Sequence, residues 1–478
     1  MKKQTVKCDK SMSFQECELA ILRSAVDLAE AKMGKRLVNT PEVQEMNQIV
    51  EDFLKKKNLI CYGGIAIDAL LPEQDKIYDK NIELSDYDFY SSNALEDAKE
   101  LADLYAKKGY TEVVAKAGAH KGTFKVFCNF LGVADITSIP QELFDALKKD
   151  AVRVKGILYC PANFLKMAMY LELSRPAGQI DRFEKVFKRL ELLNKYYPLK
   201  TVDCNTVDYQ RLMGDITHED EIYKVVRETL INQGVVFFGG YAINLYSRYM
   251  PNKHKRKVET IPDFDVLSND PETTCEIVKE RLDDIGIQNI QIIKHEPLGE
   301  IIPEHYEIVI DKDSVAFVYK PIACHSYNVI EISGQKVKVA SIDTMLSFYL
   351  AFLYTDRDYY TEFMDRILCM SKFLFEVQQK NRLQQKGLLR RFSITCYGHQ
   401  ESVEEMRGHK NDMFTELKSK KRTKEYDEWF LNYIPKTGKN QKTTNNKTKK
   451  KRGLPKVKTI KTKRNKKGFL GFYYSRKK

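Results

Sequence analysis

Residues 61–70 read CYGGIAIDAL, and residues 237–246 read FFGGYAINLY. Downstream of each lies a second matching phrase, SDYDFYS at 85–91 and PDFDVLS at 262–268. The glycine pairs stand 176 positions apart, and the first aspartates of the two D-x-D phrases stand 177 apart. Gly109 and Gly286, each closing an amphipathic helical stretch, keep the spacing of 177. One inserted residue over so long a span points to duplication of a whole domain.

Each copy follows the same grammar. An apolar helix (EVQEMNQIVEDFL at 42–54, DEIYKVVRETLINQG at 220–234) leads into the Gly-Gly turn. A short helix follows, then a strand carrying Asp-aromatic-Asp, then another helix. β-rich runs come next: TFKVFCNFLGVADITSI (123–139) in the first copy, HYEIVIDKDSVAFVYK (305–320) and YNVIEIS (327–333) in the second. FLKMAMYLELSR (164–175) and TMLSFYLAFLY (344–354) close the units with helical apolar spacing. The fold expected is α/β, two tandem duplicated domains, each a short mixed sheet flanked by helices. Boundaries fall near 46, 216 and 436. They divide the chain into a helical segment 1–45 packed on the body, a first domain 46–215 with a helical extension, a second domain 216–435, and a tail 436–478.

The charge divides along the same lines. The 478 residues carry 79 Lys and Arg against 66 Asp and Glu, a net of +13. From Lys436 onward there are 18 basic residues and no acid, which leaves the body at −5. The tail has too few apolar groups for a core and reads as a disordered basic arm. It fits RNA holding, a nuclear-import signal or solubilisation. No stretch of about 18 apolar residues is present to span a membrane. The opening MKKQTVKCDKSMSFQE lacks a secretory apolar core, so the chain is expected to act inside the cell. The ten cysteines include no C-x-x-C pair, and are read as small buried hydrophobes in a reducing compartment.

Chemistry concentrates in the first copy. Alternation puts Asp86 and Asp88 on one face of a strand, and Asp135 ends another apolar run that can lie beside them. Three converging carboxylates repel unless divalent cations neutralise them, and hard ions such as Mg²⁺ take such oxygen ligands. Two ions held this way serve the attack of a 3′ hydroxyl on a triphosphate. Gly63 and Gly64 permit close approach of backbone N–H groups to phosphate oxygens at a helix N-terminus, and Ser85 supplies a hydroxyl. The second copy keeps Gly239, Gly240, Asp263 and Asp265, but Pro262 replaces the serine. Its best third carboxylate is Glu331, at a longer spacing, so this copy is expected to be inactive. Arg175, Arg182, Lys185 and Arg189 fall on one helical side, as a phosphate-binding face or a solvated one. Lys166 reads as a surface lysine, and His120 as a turn residue. No G-x-x-x-x-G-K-[ST] occurs.

The order GG, spacer, h-D-h-D-h and later strand aspartate resembles the nucleotidyltransferase superfamily that includes DNA polymerase beta. More closely, CYGGIAIDALLP, LSDYDFYS, MYLELSRPAGQIDRFEKVFKRLELLNKYYP and SITCYGHQESVEEMR resemble the poly(A) polymerase catalytic subunits of large cytoplasmic DNA viruses. The resemblance spans roughly residues 45 to 435. It implies two polymerase-beta-like domains, Mg²⁺ or Mn²⁺ on Asp86, Asp88 and Asp135, and ATP and an RNA 3′ end as substrates. It tips the Arg175–Arg189 segment toward RNA or nucleotide contact. The poxvirus relatives also work with a cap-modifying partner subunit; a processivity partner and a homodimer both stay open for this chain. Other terminal transferases (uridylyl, CCA-adding, oligoadenylate-forming) and an inert RNA-binding scaffold are the competing readings.

Overall fold

Two sheets of eight strands organise the chain. The structure, a computed structural model, describes residues 12–38, 40–78, 86–211, 214, 218–251, 261–355, 357, 360 and 363–436. Ser85 and residues 437–478 of the basic tail lie outside the described residues. Met1–Pro435 form one compact unit.

The first sheet uses β1 (Ile60–Cys61), β2 (Tyr87–Ser91), β3 (Val113–Ala117), β4 (Thr123–Cys128), β5 (Leu131–Ser138), β6 (Val152–Val154) and β7 (Ile157–Tyr159). The second uses β8 (Val236–Phe238), β9 (Phe264–Leu267), β10 (Ile290–His295), β11 (His305–Ile310), β12 (Asp313–Tyr319), β13 (His325–Ile332), β14 (Gln335–Ala340) and β15 (Cys396–Tyr397). A late strand, β16 (Asn432–Tyr433), joins the first sheet beside β3. The orders are β16-β3-β4-β5-β2-β1-β7-β6 and β10-β11-β12-β9-β8-β14-β13-β15.

Without the added edges β15 and β16, seven strands recur in one order with the same directions. β1 and β8 run antiparallel to β2 and β9, and parallel to β7 and β14. β2 and β9 run parallel to β5 and β12. Even the register shift recurs, between Val126 and Phe127 on β4 and between Ile308 and Val309 on β11. The sheets are mixed, as expected, but larger than the short ones anticipated, because the hairpins β3–β4 and β6–β7 extend the central strands on both sides.

Local chemistry explains the elements that frame the first site. The helix Pro41–Lys57 starts on Thr40, whose side chain accepts from the Val43 N–H, and ends on Asn58 in the left-handed conformation. Its buried face, Val43, Met46, Ile49, Val50, Phe53 and Leu54, packs under the sheet. Each such side chain contributes about 1.5–3 kcal/mol when fully buried. The helix Ile342–Phe352 is buried at every position and packs against Ala162–Leu173, so the two repeats share one apolar core.

Three expectations change. The described part of helix Phe14–Val38 touches helix Pro41–Lys57 but leaves Phe14, Leu19, Leu22 and Val26 exposed. Cys204–Cys369 and Cys324–Cys396 form disulfides, and Cys17 is also bridged, so these five are not the buried thiols expected. Cys61, Cys128, Cys160 and Cys275 are buried and free. The bridged pairs stand 165 and 72 positions apart, so no local spacing announced them. Lys166 is buried, 1% exposed, with its ammonium donating to the Tyr197 carbonyl. Among the described residues no helix is long and apolar enough to cross a membrane.

Candidate active site

Asp86 stands just before β2 and Asp88 within it, while the intervening Tyr87 points its hydroxyl away to Glu51 at 2.8 Å. β5 runs parallel to β2 with Asp135 directly beside Asp88. One strand further, Lys125 on β4 pairs across from Asp135, and its ammonium forms an ion pair with that carboxylate. The row across the sheet is therefore Asp88, Asp135, Lys125.

Crowding shows in the proton affinities. Asp88 is pushed up to about 7, first by burial and then by Asp135 and Asp86, with Lys125 and Arg189 pulling the other way. Asp86 is raised by burial and then by Asp135, with Lys125 opposing. The cluster is short of positive charge. Among the described residues no group of three or more His, Cys, Asp or Glu is arranged to hold a metal ion as it stands. The donor set still suits a hard cation, because it offers only carboxylate oxygens.

The glycine pair closes the other side. Gly63 opens the helix Gly63–Leu70 with φ +68°, and a Cβ there would lie 2.7 Å from Asp88 Oδ2. Only glycine admits both the conformation and the approach. A Cβ at Gly64 would meet the Tyr78 hydroxyl at 2.1 Å. Tyr78 is placed by Asp68, which accepts from the Ile77 and Tyr78 N–H groups at 2.9 and 3.1 Å.

The second copy keeps this frame with different occupants. Gly239 has φ +72°, and a Cβ there would meet Asp265 Oδ2 at 2.0 Å. Into the carboxylates comes Arg211: its Nε donates to Asp263 Oδ1 at 2.6 Å and its backbone N–H to Asp263 Oδ2 at 2.9 Å. Nη2 reaches Asp265 Oδ1 at 3.4 Å, and the guanidinium stacks 4.5 Å from the Phe317 ring. Burial works against the Arg211 charge, but Asp263 and Asp265 outweigh it and hold the group protonated. Asp265 is itself raised by burial, with Arg211 opposing and Asp263 adding.

Glu331 is not the third member of this copy. It lies exposed on β13, three strands from β9, opposite Lys336. Strand register gives the Asp135 position to Phe317, opposite Asp265, and the Lys125 position to Glu307. Glu307 accepts from Ser314 and bonds His295 at 2.8 Å. The row Asp265, Phe317, Glu307 thus lacks a carboxylate at the Asp135 position, and counting residues along the chain could not reveal it.

The four basic residues of 175–189 do not share one face. Arg175 Nε is buried without a hydrogen-bond partner among the described residues, Arg182 ion-pairs with Glu172 at 3.2 Å, and Lys185 is exposed. Arg189 turns inward, Nη2 donating to the Tyr78 hydroxyl at 2.9 Å. Arg182, Arg175 and Arg189 all act on Glu172, whose proton affinity burial raises and they lower. His120 lies in the turn between β3 and β4.

The fold has a counterpart among solved structures. The solved structure of the Megavirus polyadenylate synthase superposes with a TM-score of 0.71 at 21% identity, covering 91% of this chain and 88% of that one. The sequence narrows that likeness. Residues 48–179, which hold all three aspartates and both glycines, match the family described as "Poly(A) polymerase catalytic subunit". The putative poly(A) polymerase catalytic subunit of an African swine fever virus isolate is 31% identical over 216 residues, 44% of this chain. Its counterpart in Acanthamoeba polyphaga mimivirus is 30% identical over 232 residues, 46% of this chain. The chain spans 42% and 38% of those relatives' own lengths. The resemblance to viral poly(A) polymerase catalytic subunits read from the sequence is borne out.

Proposed function

We propose that this chain is a template-independent polynucleotide adenylyltransferase, adding adenylates from ATP to an RNA 3′ end. The observation that carries the reading is the alignment of Asp88 beside Asp135, with Asp86 and the Gly63–Gly64 turn against them, inside the family-matched stretch. Asp86, Asp88 and Asp135 would hold Mg²⁺ or Mn²⁺, which when bound activates the 3′ hydroxyl and offsets charge on departing pyrophosphate. The Gly63–Gly64 backbone receives phosphate oxygens, a role the sequence also assigns to the Ser85 hydroxyl, which lies outside the described residues. Asp135 faces the incoming hydroxyl and takes its proton, and Lys125 orients that carboxylate.

The recurrent seven-strand order supports a duplicated domain, divided near 46, 216 and 436. The second copy holds structure rather than chemistry, because Arg211 supplies the positive charge that metals supply in the first. The tail is an RNA-holding arm, and the enzyme works in a viral cytoplasmic setting with a partner subunit, as the relatives' description "catalytic subunit" suggests. The test is direct: incubate the protein with short labelled RNA, Mg²⁺ or Mn²⁺ and each NTP separately, and resolve the products on a gel. ATP should give long ladders. Preference for UTP, a stop after CCA, or 2′–5′ products without primer would move the chain to another terminal transferase, and no extension to a scaffold.

A further inference from the structure

We propose that Arg189 grips the outer phosphates of the incoming nucleoside triphosphate, and that the Tyr78 hydroxyl keeps its place until the nucleotide arrives. The assignment deepens the adenylyltransferase reading and rests on it. Arg189 lies on the helix Phe183–Tyr196, beyond the family-matched stretch. Its guanidinium sits 5.6 Å from the Tyr78 ring centre and bonds the hydroxyl at 2.9 Å. Among the described residues it makes no ion pair. Yet the hydroxyl it bonds lies against the Gly63–Gly64 turn, whose first glycine backs onto Asp88.

The hydroxyl it holds presses against the bare α-carbon of Gly64, 2.1 Å from where a Cβ would stand. That is the space a phosphate needs to reach the N–H groups of the Gly63–Leu70 helix. A neutral hydroxyl is a weak partner for a guanidinium, whose planar fork of donors fits two phosphate oxygens. Arriving phosphates take the place of the hydroxyl and keep the arginine. Tyr78 is anchored by its own N–H on Asp68, so its ring swings without unfastening the segment.

The alternative is that Arg189 merely ties its helix to Tyr78, and the two roles separate on the ligand. Full-length protein is titrated calorimetrically with ATP and with adenosine, with Mg²⁺ and without RNA, as wild type, Arg189→Gln and Arg189→Lys. Arg189→Gln should weaken ATP roughly tenfold or more, the size of a lost charge-assisted hydrogen bond, and leave adenosine unchanged. Arg189→Lys should recover part of the loss. In RNA extension the KM for ATP should rise by a larger factor than kcat falls. Unchanged ATP binding in Arg189→Gln, or equal weakening of both ligands, overturns the assignment while the enzyme reading stands. Wild type that neither binds ATP nor extends RNA sinks both.

Discussion

At the residue scale, the second site departs from the first at the Asp135 and Lys125 positions and gains an arginine. Phe317 stands where the first sheet has Asp135, Glu307 stands where it has Lys125, and Arg211 lies against Asp263 and Asp265. Asp135→Asn keeps the side chain's size and removes its charge, so the rate should fall roughly a hundredfold or more while ATP binding changes little. Near-wild-type turnover would make Asp135 structural. Arg211→Ala removes the cation paired with buried Asp263 and half-buried Asp265 and should cost about 3 kcal/mol or more in urea unfolding, the penalty of breaking a buried pair. A loss below about 1 kcal/mol would mean that Asp263 and Asp265 need no internal cation. The aspartates and glycines were legible because each is a local phrase with a chemical reason. Arg211 was not, because it belongs to the connection between copies and nothing beside it announces its partners.

At the element scale, register decided what spacing could not. β4 and β5 join through Asn129 and Phe130, both with positive φ, which sets Cys128 opposite Leu131. Counting from that turn puts Ala134 opposite Lys125; the shift at Val126/Phe127 puts Asp135 there instead. A bulge has no reliable sequence mark, so Lys125 went unread, and the same shift on β11 hid Glu307. Strand order likewise removed Glu331. The second sheet also buries two histidines, His305 on β11 and His325 on β13, both 0% exposed. His305 falls to about 4, from burial first, with His295 and Arg357 adding and the Pro303 carbonyl and Glu307 opposing. His325 falls to about 3, from burial and then Arg175, and neither ring nitrogen has a hydrogen-bond partner among the described residues. Both bind protons more weakly folded than unfolded, where imidazole titrates near 6.5, so stability is full above about 6.5 and declines toward pH 4. The loss should reach on the order of 3 kcal/mol per histidine at the acid end. Urea midpoints at pH 7.5, 6 and 5 measure it, and His325→Phe should flatten the slope. An unchanged slope would remove His325 from the account.

At the scale of the whole molecule, the halves share one core through the helices Ala162–Leu173 and Ile342–Phe352, and the chain returns at β16 to the first sheet. Repetition was legible because two glycine pairs and two D-x-D phrases kept their distance. The return was not, since a two-residue strand at 432–433 has no pattern of its own. The central claim is that one copy reacts and the other, filled by Arg211, does not. It is tested by comparing Asp88→Asn with Asp265→Asn in ATP-dependent extension of a labelled RNA, below the melting temperature of each variant. Asp88→Asn should lose extension by roughly a hundredfold or more, while Asp265→Asn extends at a rate near wild type. Extension that survives Asp88→Asn and disappears with Asp265→Asn would contradict the account.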